Sequence, residues 1–449
     1  MIREKLYRDP IHDLIALDKD SADDRVLMDL IDTPEMQRLR RIRQLGLASL
    51  AYQGAEHSRF THSLGAMWIA TRILGRLGRE RDIPAGQVLA TRCAALLHDV
   101  GHGPLSHVFE QFMNVHHEEW TRRVVLDPGS DVNRVLARHH AGLPDEVVAI
   151  VEGRAHPPFL GQIISSQLDA DRFDYLLRDS AMTGVKYGVF DFERLLHVLR
   201  LDDRGQGMVV AANGLHPVEK YLHSRYHMYA QVYLHKTVRA GEAVLGRMLL
   251  RAADLAAAGR LPHPGDDEPM GRLLARRDQV ELADYTEIDD DTVYACMRRW
   301  RRDDDTILAD LASRVVERRL FKSLDVSRVP RLAPKVKAAK AALAEAGFDP
   351  KYYFTLDESG DVPYRPYDPK RDKSKGRQHI LIETPQARDG LPYHDIHDVS
   401  PVVAGLSKAG FVTRRAMFPE TAPDGTDLRS VMHGIFFDGY VEDAFFPGG

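Results

Sequence analysis

LLHDVGHGPLSH, residues 96–107, sets the doublet His98-Asp99 at the end of an apolar run, Cys93 to Leu97, and follows it with Gly101, Gly103 and Pro104. The glycines and the proline form a helix-stop signature. Neighbouring residues on a regular helix, with about 3.6 residues per turn, point about 100° apart. His98 and Asp99 can therefore share one ion only where the helix loosens, and this stretch supplies that place. Upstream, RFTHSLG (59–65) puts His62 at an expected helix start, with Thr61 or Ser63 able to cap the apolar stretch Leu64 to Leu74. Downstream, Asp171 completes a candidate four-ligand set of His62, His98, Asp99 and Asp171. Two imidazoles and two carboxylates suit one divalent ion (Mn, Fe, Mg, Co or Ni) and leave positions open for water and phosphate oxygens. Open positions point to catalysis, and the donor set to a metal-dependent phosphohydrolase.

The surrounding chain reads as mainly α. Apolar residues recur at helical spacing through the first 345 residues, and Asn213 to Leu255 reads as one long helix or two. MVVA (208–211) reads as a strand. After Gly347, KYYFTL, HILIE and VVAGL read as short strands around the polar stretch DESGDVPYRPYDPKRDKSKGR, a mobile hairpin tip or disordered loop. The expected organisation is a helical domain over 1–345 and a smaller C-terminal α+β region over 346–449. A length of 449 residues fits two closely packed units. Cys93 and Cys296 form no disulfide framework. The charged N-terminus lacks the apolar core of a signal peptide, and no run approaches a membrane span of about 18 apolar residues. A cytoplasmic enzyme is expected. The net charge of −5 offers no global attraction to nucleic acid or membrane.

RFTHSLG, LLHDVGHGPLSHVFE, HHEE and LDADRFDYLLRD together resemble the HD-domain phosphohydrolases. They resemble in particular the branch that includes the vertebrate SAM-and-HD-domain dNTP triphosphohydrolase and its bacterial relatives. The resemblance runs from about Lys5 to Lys236, with FKSL (321–324) a further counterpart and no segment like a SAM domain. It implies a helical HD core, hydrolysis of dNTP to deoxynucleoside and tripolyphosphate with dGTP as the candidate preference, and a homo-oligomer, dimer or tetramer.

His107 and Glu110 lie three apart, close enough to touch on one helix face, where a carboxylate raises a histidine's basicity. The resemblance makes them the catalytic pair, with His102 and His117 beside the scissile phosphate; Glu110 stands where some relatives carry Asp. A triphosphate requires cations, and Arg59, Arg172 and Arg225 match phosphate-contacting positions, Arg172 replacing a lysine of the vertebrate enzyme. Asp171, Tyr175 and Asp179 are spaced four apart and share a helix face. By resemblance Tyr175 packs against the deoxyribose C2′, Asp179 accepts from the 3′-hydroxyl, Gln44 and Leu45 close the pocket, and Tyr233 stands beside the base. Tyr229 replaces a histidine there. On spacing alone, a blander alternative is Tyr175 as a core aromatic and Asp179 as a helix-end charge partner of Arg178.

Lys5, Asp32, Gln37 and Arg40 match positions that bind a guanine nucleotide between subunits in the vertebrate enzyme, which implies a GTP or dNTP activator. Leu6 and Asp13 depart from that pattern. DTPEMQRLR also reads simply as a helix capped by Asp32 or Thr33 with Pro34 in its first turn. Two other functions fit parts of the sequence. The same metal site suits another nucleotide or a phosphodiester. A nucleic-acid-binding module would draw on RRWRR (298–302) and PKRDKSKGR (369–377), yet neither is interleaved with the stacking aromatics of a binding groove.

Overall fold

Helices begin where caps and apolar stripes coincide. In this computed structural model, which describes residues 3–265, 267–276, 279–361, 364, 379–384, 390–408 and 411–438, α1 (Ala22–Ile31) is capped by Ser21, whose hydroxyl accepts from Asp24 N. Thr33 caps α2 (Pro34–Arg38) in the same way through Met36 N, with Pro34 in the first turn. There follow α3 (Arg59–Leu77), α4 (Ala85–Leu97), α5 (His107–Met113), α6 (His117–Leu126), α7 (Asp131–His139), α8 (Leu143–Val151), α9 (Phe159–Ile164), α10 (Ala170–Thr183), α11 (Phe192–Val198), α12 (Leu215–Met228) and α13 (Lys236–Ala257). The fold is mainly α, with a smaller α+β region. The stretch 213–255 forms two helices, α12 and α13, and a π-helical turn at Tyr229–Tyr233 ends the first.

Strands are short. β1 (Glu4–Asp9) and β2 (Asp13–Asp18) form an antiparallel hairpin in which Lys5 faces Leu17. Met208–Val210 pairs antiparallel with Leu199–Leu201 and parallel with Leu381–Glu383, which pairs in turn with Tyr393–Asp395. A separate sheet runs Lys322–Asp325, Phe411–Phe418, Thr355–Asp361. KYYFTL divides at Phe354 into a helical turn and a strand. VVAGL is a correction: it lies in the helix Pro401–Lys408, because Val403 and Leu406, three apart, are buried on one face. Of the expected polar loop, residues 362–363 and 365–377 lie outside the described residues.

The chain makes two compact units that interleave along the sequence. One comprises residues 1–233, 278–293 and 362–410; the other comprises 234–277, 294–361 and 411–449. These limits fall elsewhere than the expected boundary between residues 345 and 346. The core of the first unit is where α3 packs against both α4 and α10. Leu64, Met67, Ile69 and Ile73 of α3 are buried with Cys93, Leu96 and Leu97 of α4 and Phe173 and Leu176 of α10, each large aliphatic contributing about 1.5–3 kcal/mol. Gly65 lets α10 approach: a Cβ there would lie 1.9 Å from Asp174 Oδ1. Among the described residues, no helix is long and apolar enough to cross a membrane.

Candidate active site

The expected stop comes where the glycines set it. α4 ends at Leu97 with His98 as its C-cap, and the chain turns through Val100 N to Leu97 O and His102 N to Asp99 O. Gly101 is obligatory, since a Cβ would meet Thr121 N at 2.2 Å and His117 O at 2.3 Å. Thr121 Oγ1 binds both sides of that turn, donating to His98 O and accepting from Gly101 N. Leu105 and Ser106 then both adopt left-handed φ, 52° and 51°, a conformation costly for side-chain-bearing residues that the surroundings must hold. Asp290 does so by accepting from Leu105 N and Arg43 N, and burial raises its pKa to about 6. Arg38, fully buried, donates to His102 O and Ile288 O, and Tyr285 donates to Gly101 O.

His62 is not at a cap. α3 starts after Ser58, three residues before a cap at Thr61 and five before one at Ser63, and His62 sits inside the helix facing α10. Its Nε2 stands 3.3 Å from His98 Nε2, 3.1 Å from Asp171 Oδ1 and 3.7 Å from Asp99 Oδ2. His98 Nε2 lies 3.4 Å from Asp99 Oδ1 and 3.7 Å from Asp171 Oδ1. Donor atoms of His62, His98 and Asp99 fall within 4.8 Å of one another. The opposite ring nitrogens are occupied: His62 Nδ1 donates to Asp174 at 2.8 Å, and His98 Nδ1 donates to Ala95 O at 2.8 Å. This leaves both Nε2 atoms aimed at one point, as metal-ligating histidines require. The residues fit a divalent ion.

The electrostatics agree. Burial opposes charge on His62, but hydrogen bonds to Asp171 and Asp174 outweigh it and raise its pKa to about 10. His98 is raised too, against burial, by Asp99 and Asp171. Burial would raise Asp99 and Asp171, yet the cationic partners hold both below the usual carboxylate range. A cation bound among these carboxylates is thus favoured, whether protons or a metal ion.

Beside this cluster, His102 and His117 stack with ring centroids 3.7 Å apart. His117 Nδ1 is 2.6 Å from Glu110 Oε1, and His102 Nδ1 is 3.4 Å from the same oxygen. Asp99, His102 and His117 make a second close donor group that shares Asp99 with the first. Burial, with Arg59 and His117 nearby, pushes His102 well below its ordinary value, whereas the Glu110 hydrogen bond raises His117 against burial. His107 heads α5; its side chain lies outside what is described.

The expected phosphate and sugar residues also gather. Arg59 donates to Asp99 and, at 2.8 Å, to Ser106 Oγ. Arg172 pairs with Asp169, the N-cap of α10, and Arg225 donates to Gln167 Oε1 at 2.6 Å. Tyr175 lies within electrostatic range of Asp171, Arg172, Arg225 and Tyr229 and edge-on to Tyr233 at 6.0 Å. Asp179 accepts from Tyr233 at 2.8 Å and from His57 at 2.7 Å, while Arg178 pairs with Asp174 and Asp9. The reading of Asp179 as the partner of Arg178 is thereby corrected. Gln44 N bonds His57 O, next to half-buried Leu45. Away from these, Lys5 Nζ is 2.9 Å from Asp32, Gln37 donates to Ile31 O, and Arg40 donates to Gln37 and covers the Phe60 ring. Sequence reasoning missed Asp174, His12, Arg38 and Asp290; only Asp174, one helical turn after Asp171, carries a readable signal.

An HD domain family model matches residues 59–179, and a model of the HD-associated region matches 190–261. The chain belongs to the HD-domain family, and its helical core is that of the HD phosphohydrolases. It is 37% identical to the uncharacterized protein YwfO of Bacillus subtilis over 390 residues, 86% of this chain and 87% of that one. It is 28% identical to the human deoxynucleoside triphosphate triphosphohydrolase SAMHD1 over 287 residues, 56% of this chain but only 45% of that protein. Among solved structures, a phosphohydrolase from Bacteroides thetaiotaomicron superposes with a TM-score of 0.77 at 28% identity, covering 92% of this chain and 99% of the other.

Proposed function

We propose that the protein hydrolyses deoxynucleoside triphosphates at the α-phosphorus, yielding deoxynucleoside and inorganic tripolyphosphate. The observation that carries this reading is the convergence of His62, His98, Asp99 and Asp171 beside His102, Glu110 and His117, with Asp171 on the helix that also brings Arg172, Tyr175 and Asp179. The similarity to deoxynucleoside triphosphate triphosphohydrolases of the SAMHD1 kind supports it. A bound divalent ion (Mn, Fe, Mg, Co or Ni) would supply Lewis-acid polarisation at the α-phosphoryl oxygens and acidify water there.

The chain's own residues supply the rest. A water oxygen bonds to the α-phosphorus and the P–O5′ bond breaks, so all three phosphates depart together and the 5′-oxygen needs a proton. Glu110 holds the His117 pKa up while burial holds that of His102 down, a difference that suits the first to act as acid and the second as base. His107 joins Glu110 as the catalytic pair in this reading. Arg59, Arg172 and Arg225 offset the triphosphate charge. Tyr175 excludes a 2′-hydroxyl, with Gln44 and Leu45 closing the pocket; Asp179 takes the 3′-hydroxyl; Tyr233 stands by the base. A GTP or dNTP activator at Lys5, Asp32, Gln37 and Arg40, and assembly into an oligomer, belong to the same proposal.

The test incubates the protein with each dNTP, each NTP and a panel of nucleotide phosphodiesters in Mn²⁺ or Mg²⁺ and resolves the products by chromatography. Deoxynucleoside with tripolyphosphate is expected. Deoxynucleoside monophosphate with diphosphate refutes the assigned bond, and turnover confined to a phosphodiester refutes the substrate class.

A further inference from the structure

The tip of the N-terminal hairpin reaches into the first unit's interior. Asp9, the last residue of β1, accepts from Ile11 N at 2.8 Å and His12 N at 3.0 Å, fixing a tight turn of the Asx kind. The turn aims the His12 side chain inward, 5% exposed, so that Nε2 meets Asp174 Oδ1 at 2.7 Å. Asp9 Oδ2 also pairs with Arg178 Nη1 at 2.8 Å. Neither hairpin residue touches the ion-binding cluster directly.

Both act on Asp174, which is fully buried on α10. Its Oδ1 accepts from His12 Nε2 and, at 2.9 Å, from Arg178 Nη2; its Oδ2 accepts from His62 Nδ1 and, at 2.8 Å, from Arg178 Nε. A carboxylate offers about four acceptor directions, and here all four are taken. The carboxylate therefore cannot swing, and the ring of His62 is held with Nε2 toward His98 and Asp171. We propose that His12 is a positioning residue for the metal centre: through Asp174 it fixes the tautomer and the aim of His62, making the hairpin turn part of the ion-binding apparatus. This rests on the reading of His62, His98, Asp99 and Asp171 as ligands. Partners one step removed from a metal typically alter its affinity about 10- to 100-fold.

The test measures Mn²⁺ dissociation into excess chelator, and Mn²⁺ affinity by titration of metal-stripped protein, for wild type, His12→Ala, His12→Gln and His98→Ala, with circular dichroism for folding. His12→Ala is expected to lose about 10- to 100-fold in Mn²⁺ affinity while retaining its helical spectrum. His12→Gln, which can donate toward Asp174 from its own amide, is expected to recover most of the loss; a purely structural role would not discriminate in that way. A folded His12→Ala protein that matches wild type in affinity and release rate overturns the positioning role alone. So does a His12→Gln protein that folds yet binds no better than a folded His12→Ala. Wild-type protein that binds no Mn²⁺, or a His98→Ala protein that binds it equally well, overturns the metal centre itself.

Discussion

Gly65 of α3 lies directly beneath Asp174 of α10, so close that a Cβ on the glycine would stand 1.9 Å from Oδ1 and 2.4 Å from Arg178 Nη2. The glycine is therefore a condition for the carboxylate that orients His62, three residues before it in RFTHSLG. Gly65→Ala must displace either the helices or the buried ion pair. Overpacking of this kind costs about 1–3 kcal/mol. Urea unfolding should show that loss, and metal content after gel filtration should fall with it. An unchanged midpoint with full metal content would show that α10 can give way freely.

In the proposed metal centre, proton and metal compete for the same His62 ring nitrogen. In metal-free protein the His62 pKa is raised from 6.5 to about 10, so the folded state binds that proton more tightly than the unfolded chain. The resulting stabilisation is fully present below about pH 6.5 and disappears as the pH rises through about 10. Chelator-treated protein should accordingly lose thermal stability across that interval while the Mn²⁺-loaded form does not, and the gap between their melting temperatures should widen with pH. Calorimetric titration at pH 7.5 in buffers of differing ionisation enthalpy should show proton release on Mn²⁺ binding. A gap that narrows toward pH 10 would contradict the assigned proton.

The parts of the site that follow one another along the chain were legible in the sequence. His98, Asp99 and the glycines declare a helix stop, and Asp171, Tyr175 and Asp179 declare one helix face, because local spacing decides both. His62 was legible as part of the His/Asp cluster but not as a residue inside the first turn of α3, since Ser58 caps that helix without a side-chain hydrogen bond. Asp290 and Tyr285 were illegible. They brace the turn after Asp99 from nearly two hundred residues downstream, and nothing in local composition ties Asp290 to Leu105 N. VVAGL misled because a short apolar run fits either period until its buried neighbours are known.

Asp169 anchors Arg172, and Gln167 accepts from Arg225, so each presents a fixed charge. Replacing either by alanine should lower kcat/KM for dNTP by about 10- to 100-fold, as expected for a lost hydrogen bond to a charged group of about 1.5–3 kcal/mol. Tyr175→Ala should act differently, raising turnover of NTP relative to dNTP by opening space at C2′. The comparison needs paired dGTP and GTP kinetics on each variant. Arginine variants that alter this ratio while Tyr175→Ala leaves it unchanged would reverse the assignment of charge and shape.

Lys5 is tied to Asp32 at 2.9 Å, and Arg40 is held by Gln37 and by the face of Phe60. The four expected activator residues thus occupy two adjoining pairs, and both pairs must open if a guanine nucleotide is to use them. An exposed pair of this kind contributes about 0.2–1 kcal/mol, which a bound triphosphate readily exceeds. Wild-type protein should show a lag or a sigmoidal dependence on dNTP that GTP or a dNTP abolishes. Lys5→Ala and Arg40→Ala should remove that response while keeping wild-type Mn²⁺ content, because neither side chain belongs to the ion-binding cluster. Hyperbolic kinetics in wild type, unaltered by GTP, together with a monomeric mass by light scattering, would leave these residues as a cap and its neighbours and nothing more.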